Sequence, residues 1–136
     1  MRYLLDTNMV SSLIRDPRGA VARRITEVGE AEVCTSIIVA AELRFGAAKK
    51  KSASLTAQVE AVLAALDILP FETPMDLTYG QIRVRLESAG TPIGGNDLLI
   101  AAQAMALGYA VVTDNEREFS RIADLPLENW LAPVGR

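Results

Sequence analysis

The stretch Thr91–Asn115, TPIGGNDLLIAAQAMALGYAVVTDN, decides the fold. From Leu98 to Leu107 it is almost wholly apolar, so periodicity cannot distinguish helix from strand, and length and residue type must decide. Ala101, Ala102, Ala104 and Ala106, with leucine and methionine between them, are strong helix formers. Asn96 is a good N-cap, Asp97 suits a first turn, and Gly108 suits the C-terminal stop. The stretch therefore reads as a helix over 97–107, apolar all round and hence buried. A short buried strand follows from Tyr109 to Thr113. An acid opens the helix, and Asp114 with Asn115 closes the strand. Charged groups seldom sit beside a deeply buried element without a partner, so the rest of the chain must supply one.

Outward from this centre, strands and helices alternate. Toward the N-terminus lie a helix from Pro74, at its N1 position, to about Ala89, and a strand at Ile68–Phe71. Before these come helices over Ala53–Leu66 and Ile37–Lys49, the latter running into Lys49-Lys50-Lys51. A strand at Glu32–Ser36, a helix over Ala20–Val28 and a turn at Asp16–Gly19 precede them. A short helix at Met9–Ile14, capped by Thr7 or Asn8, follows an opening strand, Arg2–Leu5. Beyond the centre, Glu116–Ile122 reads as a short helix and Leu127–Leu131 as a final strand. This alternation predicts an α/β/α sandwich with a central, mainly parallel sheet covered on both faces. The expectation is a single domain over residues 1–136.

Composition restricts the chemistry. The chain contains no histidine, which excludes Ser-His and Cys-His nucleophiles, His-ligated zinc and histidine acid–base catalysis. The net charge of −3 means that any nucleic-acid contact must use local basic patches. The single Cys34 cannot form an internal disulfide and reads as an inert core thiol. No apolar run suits a membrane span and the N-terminus has no signal-peptide pattern, so the expectation is a cytoplasmic protein without a membrane partner.

Open parallel sheets place their sites at the carboxyl ends of the strands, beside helix N-termini. Asp6 ends the first strand, Glu42 lies near the start of the helix after the second, Asp97 starts the central helix, and Asp114 and Asn115 end the strand after it. Each has a structural explanation on its own. The aspartates could cap helices or face their dipoles, and Asn115 with Glu118 has the spacing of a capping box. Glu42 shares a stripe with Ile38 and Phe45 that looks core-facing, where a carboxylate needs a partner. Together the acids would crowd one sheet edge and raise one another's pKa. A hard divalent cation relieves that conflict, and Mg²⁺ needs only one or two carboxylates plus waters and phosphate oxygens. Without histidine, metal-activated water is the simplest mechanism left.

The motifs LLDTN (4–8), AELRFGA (41–47), GQIRVRLESAGTPIG (80–94), IGGNDLLIAAQAMALGYAVVTDN (93–115) and REFSRIADLPLENW (117–130) resemble the PIN-domain ribonuclease toxins of VapC type. The resemblance covers nearly the whole chain. It implies a PIN-like fold and an endoribonuclease dependent on Mg²⁺ or Mn²⁺, with tRNA among the RNAs cut by members of the family. It also implies a homodimer and inhibition by a cognate VapB-type antitoxin. The family's acids fall on Asp6, Glu42 and Asp97, and its fourth acidic position falls on Asn115, with Asp114 adjacent. The catalytic set is then Asp6, Glu42, Asp97 and Asn115, with Asp6 and Asp97 holding the metal. Thr7, Ser36 and Thr113 are candidate supporting hydroxyls. Arg44, Arg83 and Arg85, with Lys49–Lys51 and Arg117, are candidate contacts to RNA phosphates. The competing expectations are an Mg²⁺-binding phosphatase with an aspartyl nucleophile and a non-catalytic, receiver-like signalling module.

Overall fold

The sheet runs in the order β3-β2-β1-β4-β5, and every pairing in it is parallel. The computed structural model describes residues 1–132. In chain order the elements are β1 (Tyr3–Leu5), α1 (Thr7–Arg15), α2 (Ala20–Val28), a 3-10 turn at Glu30–Glu32, β2 (Val33–Ser36), α3 (Ile37–Lys50) and α4 (Ala53–Ala65). There follow β3 (Asp67–Leu69), α5 (Met75–Ser88), α6 (Gly95–Leu107), β4 (Ala110–Val112), α7 (Glu116–Phe119) and β5 (Leu127–Glu128). Helices α1 to α4 pack on one another and α5 packs on α6, giving the expected helical cover of a parallel sheet. Strands β2 and β4 are buried along their whole length, as a doubly covered sheet requires.

Strands β1, β2 and β3 step one way across the sheet, and the chain then returns to place β4 on the other side of β1. The order therefore reverses between β1 and β4, the switch point where open α/β sheets bind ligands. Leu5 stands opposite both Thr35 and Val112, so the carboxyl ends of the three central strands are level. Asp6, Ser36 and Thr113 come next, on one edge. The Asp6 N–H continues the ladder by donating to the Val112 carbonyl at 3.1 Å.

The central helix begins two residues before the expected start. Its N-cap is Gly94, whose carbonyl accepts from the Leu98 N–H at 2.9 Å, and no side chain caps it. Asn96 lies exposed inside the first turn and does not cap. Gly108 ends the helix as expected: its φ of 72° lies in the left-handed region that glycine tolerates, which lets the Tyr109 N–H reach the Ala104 carbonyl at 2.9 Å. Leu98, Ile100, Ala101, Ala102 and Ala104 are buried. The helix surfaces at its end, where Leu107 is exposed. Gln103, also buried, donates to the carbonyls of Leu69 and Pro70 and ties α6 to the end of β3.

Other boundaries shift for local reasons. Asp6, not Thr7 or Asn8, caps α1, because its extended backbone lets the carboxylate accept from the Met9 N–H at 3.1 Å. Pro74 occupies the N-cap of α5 rather than N1. Asn115 stands at the N-cap of α7 but makes no side-chain cap, so the expected capping box does not form. On α3 the core face is Val39, Ala40, Leu43 and Ala47, whereas Phe45 is 67% exposed and Glu42 only half-buried. The expected stripe of Ile38, Glu42 and Phe45 thus misses the core by about a third of a turn. The terminal elements are shorter than expected, β3 stopping at Leu69, α7 at Phe119 and β5 at Glu128.

Candidate active site

Asp6 is 4% exposed, and both of its oxygens are used. One accepts from the Met9 N–H, and the other accepts from the Thr113 hydroxyl at 2.5 Å, across the switch point. Burial pushes its carboxyl up to about 6 despite those two hydrogen bonds, and the charge of Asp114 adds to the rise. Thr113 also accepts from the Asn115 N–H at 2.9 Å, so one hydroxyl fixes both Asp6 and the turn after β4.

That turn aims Asn115 at the start of α6. Its amide donates to Asp97 at 3.2 Å and to Glu118 at 2.7 Å. Burial pushes Asp97 up to about 7; Glu118 beside it adds to the shift, and the charges of Asp6 and Glu42 contribute less. Glu118 is held below the usual carboxylate range by hydrogen bonds from Asp97 and Asn115. Asp97 and Glu118 thus face each other, with the Asn115 amide as a neutral bridge between them. Asp114 is exposed and accepts from the Asn8 amide at 3.0 Å, on the other side of the turn. Glu42 accepts from the Thr7 hydroxyl at 3.0 Å, which draws α3 to the first turn of α1.

Sequence reasoning did not place Glu118 in the site. Its spacing from Asn115 was visible but suggested a helix cap. Its meeting with Asp97, 21 positions away, follows from α7 turning back over the start of α6. Ser36 is fully buried and caps α3 by accepting from the Ile38 N–H at 3.0 Å, a structural use of its hydroxyl. Arg44 forms a two-armed pair with Glu60, both contacts at 3.0 Å, and Arg83 pairs with Glu87 at 2.7 Å and with the Tyr79 hydroxyl at 3.0 Å. Arg85 is exposed and forms no ion pair among the described residues. Cys34 is buried, and desolvation pushes its thiol up to about 11, which makes it a poor nucleophile.

Among the described residues, no three histidine, cysteine, aspartate or glutamate side chains converge tightly enough to cage an ion unaided. A divalent ion here would need water and substrate beside the carboxylates to complete its shell. The donor set fits such an ion: Asp6 and Asp97 resist ionisation where they stand, and a divalent cation between them would remove the obstacle.

A parallel sheet with carboxylates gathered at its switch point is a frame suited to binding a divalent cation and a phosphoryl group. The PIN domain family matches residues 3–125, and the chain belongs to that family, within its VapC-type ribonuclease toxins. It is 38% identical to Ribonuclease VapC2 of Rickettsia felis over 132 residues, covering 96% of this chain and 98% of the relative. It is 34% identical to the tRNA(fMet)-specific endonuclease VapC of Salmonella typhimurium over 131 residues, with 96% and 98% covered. In structure it is similar to VapBC2 from Rickettsia felis bound to a DNA fragment from its promoter. The TM-score is 0.88 at 37% identity, over 96% of this chain and 99% of that one. DNA-bound VapBC from Salmonella typhimurium gives 0.87 at 34% identity, over 96% and 98%. No helix among the described residues is long and apolar enough to cross a membrane.

Proposed function

We propose that this protein is the toxin of a type II toxin–antitoxin pair and hydrolyses RNA phosphodiester bonds with Mg²⁺, Mn²⁺ being an alternative. The observation that carries the reading is the convergence of two carboxylates on the turn after β4, Asp6 through the Thr113 hydroxyl and Asp97 through the Asn115 amide, in a chain without histidine. Asp6 and Asp97 would hold the metal. When bound, it supplies water activation at neutral pH and compensates charge on the phosphoryl group. The Thr113 hydroxyl fixes the rotamer of Asp6. Glu42, anchored by Thr7, is placed to orient a water and take its proton. Asn115 and Glu118 set the position and charge of Asp97. The relatives' names include a tRNA(fMet)-specific endonuclease, which makes tRNA the first substrate to try and supports the nuclease over a phosphatase or a receiver. The same reading makes the chain a single PIN domain that acts in the cytoplasm, forms a homodimer and is neutralised by a VapB-type antitoxin.

Incubating the purified chain with bacterial tRNA and Mg²⁺ tests this. Discrete cleavage that stops in excess EDTA and returns with added Mg²⁺ is the expected result. Undiminished cleavage after verified metal removal would overturn the metal-dependent mechanism, and no cleavage of tRNA or ribosomal RNA would overturn the nuclease itself.

A further inference from the structure

A groove of about 260 Å³ leads away from the acidic cluster between α1 and α3, over apolar side chains of α4. Its two walls match. On α1 the wall is Thr7, Ser11 and Arg15, and on α3 it is Glu42, Gly46 and Lys50. Each set recurs every four residues, so each forms one stripe along its helix. Each stripe begins at the hydrogen-bonded pair of Thr7 and Glu42 in the site and ends in a cation, about 12 Å along the axis. The middle position of each wall is small, which leaves the channel open.

Two observations bear on the groove. Among the described residues neither Arg15 nor Lys50 forms an ion pair, a state they share with other exposed cations such as Arg23 and Arg85, whereas Arg2, Arg24, Arg44 and Arg83 each face an acid. Gly46 is the other. A Cβ built there meets nothing within 4 Å, so no neighbour in this chain requires glycine, although glycine weakens a helix interior relative to alanine. The space is open, apolar at its floor and cationic at its far end.

We propose that this groove is a substrate subsite in which Arg15 and Lys50 together hold a backbone phosphate flanking the scissile one in the RNA. The inference rests on the ribonuclease reading above and adds where the strand leaves the acids. Repulsion between the RNA phosphates and the carboxylates at one end is offset by the two cations at the other, and the small residues between them admit the ribose backbone. Ser11 offers a hydroxyl along the way.

The test measures binding of bacterial tRNA to full-length Asp97→Asn protein, by fluorescence anisotropy across a salt series. Adding Arg15→Gln and Lys50→Gln together should weaken binding at least about tenfold, the scale of lost charge-assisted hydrogen bonds. It should also flatten the slope of log K against log salt by about 0.7, one single-strand phosphate contact. Gly46→Leu fills the channel without touching a charge or straining the helix. It should weaken binding while leaving the thermal midpoint level or higher. Arg23→Gln, on the exposed face of α2, serves as the control for general loss of positive charge. Equal losses from Arg23→Gln and the double variant would overturn the subsite in favour of diffuse attraction. Unchanged tRNA affinity in the double variant and Gly46→Leu, with weakened antitoxin affinity, would assign the groove to the antitoxin and overturn it as well. If the wild-type chain neither binds nor cuts tRNA or ribosomal RNA, the ribonuclease reading fails first and the subsite with it.

Discussion

At the amino edge of the sheet Arg2 and Asp67 meet at 2.8 Å, Arg2 also lies over the Tyr109 ring at 5.5 Å, and the cavity beside them is about 690 Å³ and mostly apolar. At the carboxyl edge Asp97 and Glu118 flank the Asn115 amide and Asp6 joins them through Thr113, with no basic side chain paired to any of the three among the described residues. The first edge has the larger cavity and settled charges. The second has unsettled charges and little enclosed space. A cavity marks where something could fit, whereas like charges held together against their own repulsion mark where something must bind. Such an arrangement weakens the free protein, and a bound cation would relieve it.

The largest effect should come from Asp97→Asn. Asparagine keeps the shape of the first turn of α6 but lacks the charge proposed to hold the metal. Single-turnover cleavage should fall by more than the ~10–100-fold typical of residues that only support a ligand, with the melting temperature unchanged or raised. Near-normal turnover at saturating Mg²⁺ would reduce Asp97 to a partner of the helix dipole and remove the contrast between the edges.

The next comparison lies within the carboxyl edge. Asn115→Asp puts a third carboxylate beside Asp97 and Glu118, so the Mg²⁺ concentration for half-maximal cleavage should fall. Asp114→Ala loses the contact with Asn8 and a charge that acts on Asp6 only from a distance, and should leave that concentration nearly unchanged. The reverse pattern would make Asp114 the metal-facing residue.

pH separates the two edges by stability. The Asp6 and Asp97 carboxyls titrate at about 6 and about 7 in the folded chain and near 4 when unfolded. The folded state therefore holds protons that the unfolded state has released. Stability from these groups is complete below about pH 4 and is lost as pH rises through 6 and 7. In chelator, the melting temperature should drop between pH 5 and pH 8. Mg²⁺ should restore it at pH 8 far more than at pH 5, and Asp97→Asn should shrink the difference. A melting temperature insensitive to pH and Mg²⁺ would count against strain at this edge.

The smallest effect belongs to the amino edge. Asp67 is 55% exposed and Arg2 25%, so Asp67→Asn should cost no more than about 1 kcal/mol in urea unfolding. Cleavage should not change. A clear loss of activity would connect the two edges in a way the fold does not suggest.

What the chain revealed in advance depended on the range of the interaction. The central helix was legible because alanine content and length are properties of the segment itself, and Gly108 because only the last turn decides its conformation. Asn96 as a cap was not, because Gly94 had already turned the backbone into the helix and left that side chain in solvent. The Arg83–Glu87 pair stands four residues apart on α5 and is implicit in helix geometry. The Arg44–Glu60 pair bridges two helices, and nothing local discloses that Arg44 is neutralised. Asp6, Glu42 and Asp97 could be assigned to one edge because parallel topology aligns strand ends. Glu118 could not, since its place depends on how α7 folds back across the first turn of α6.

The switch point between β1 and β4 also sets when the protein can become dangerous to its maker. Asp6 leaves the ribosome 107 residues before Thr113, which fixes it, and earlier still than Asn115 and Glu118, which bridge to Asp97. At ~5–20 residues per second the interval is on the order of ten seconds. Throughout it the nascent chain carries its first acid without the strand that completes the site. A message broken between the codons for Asp97 and β4 yields fragments with Asp6, Glu42 and Asp97 but no closed switch point. Strand order thus delays the assembled site until nearly the whole sheet has been synthesised.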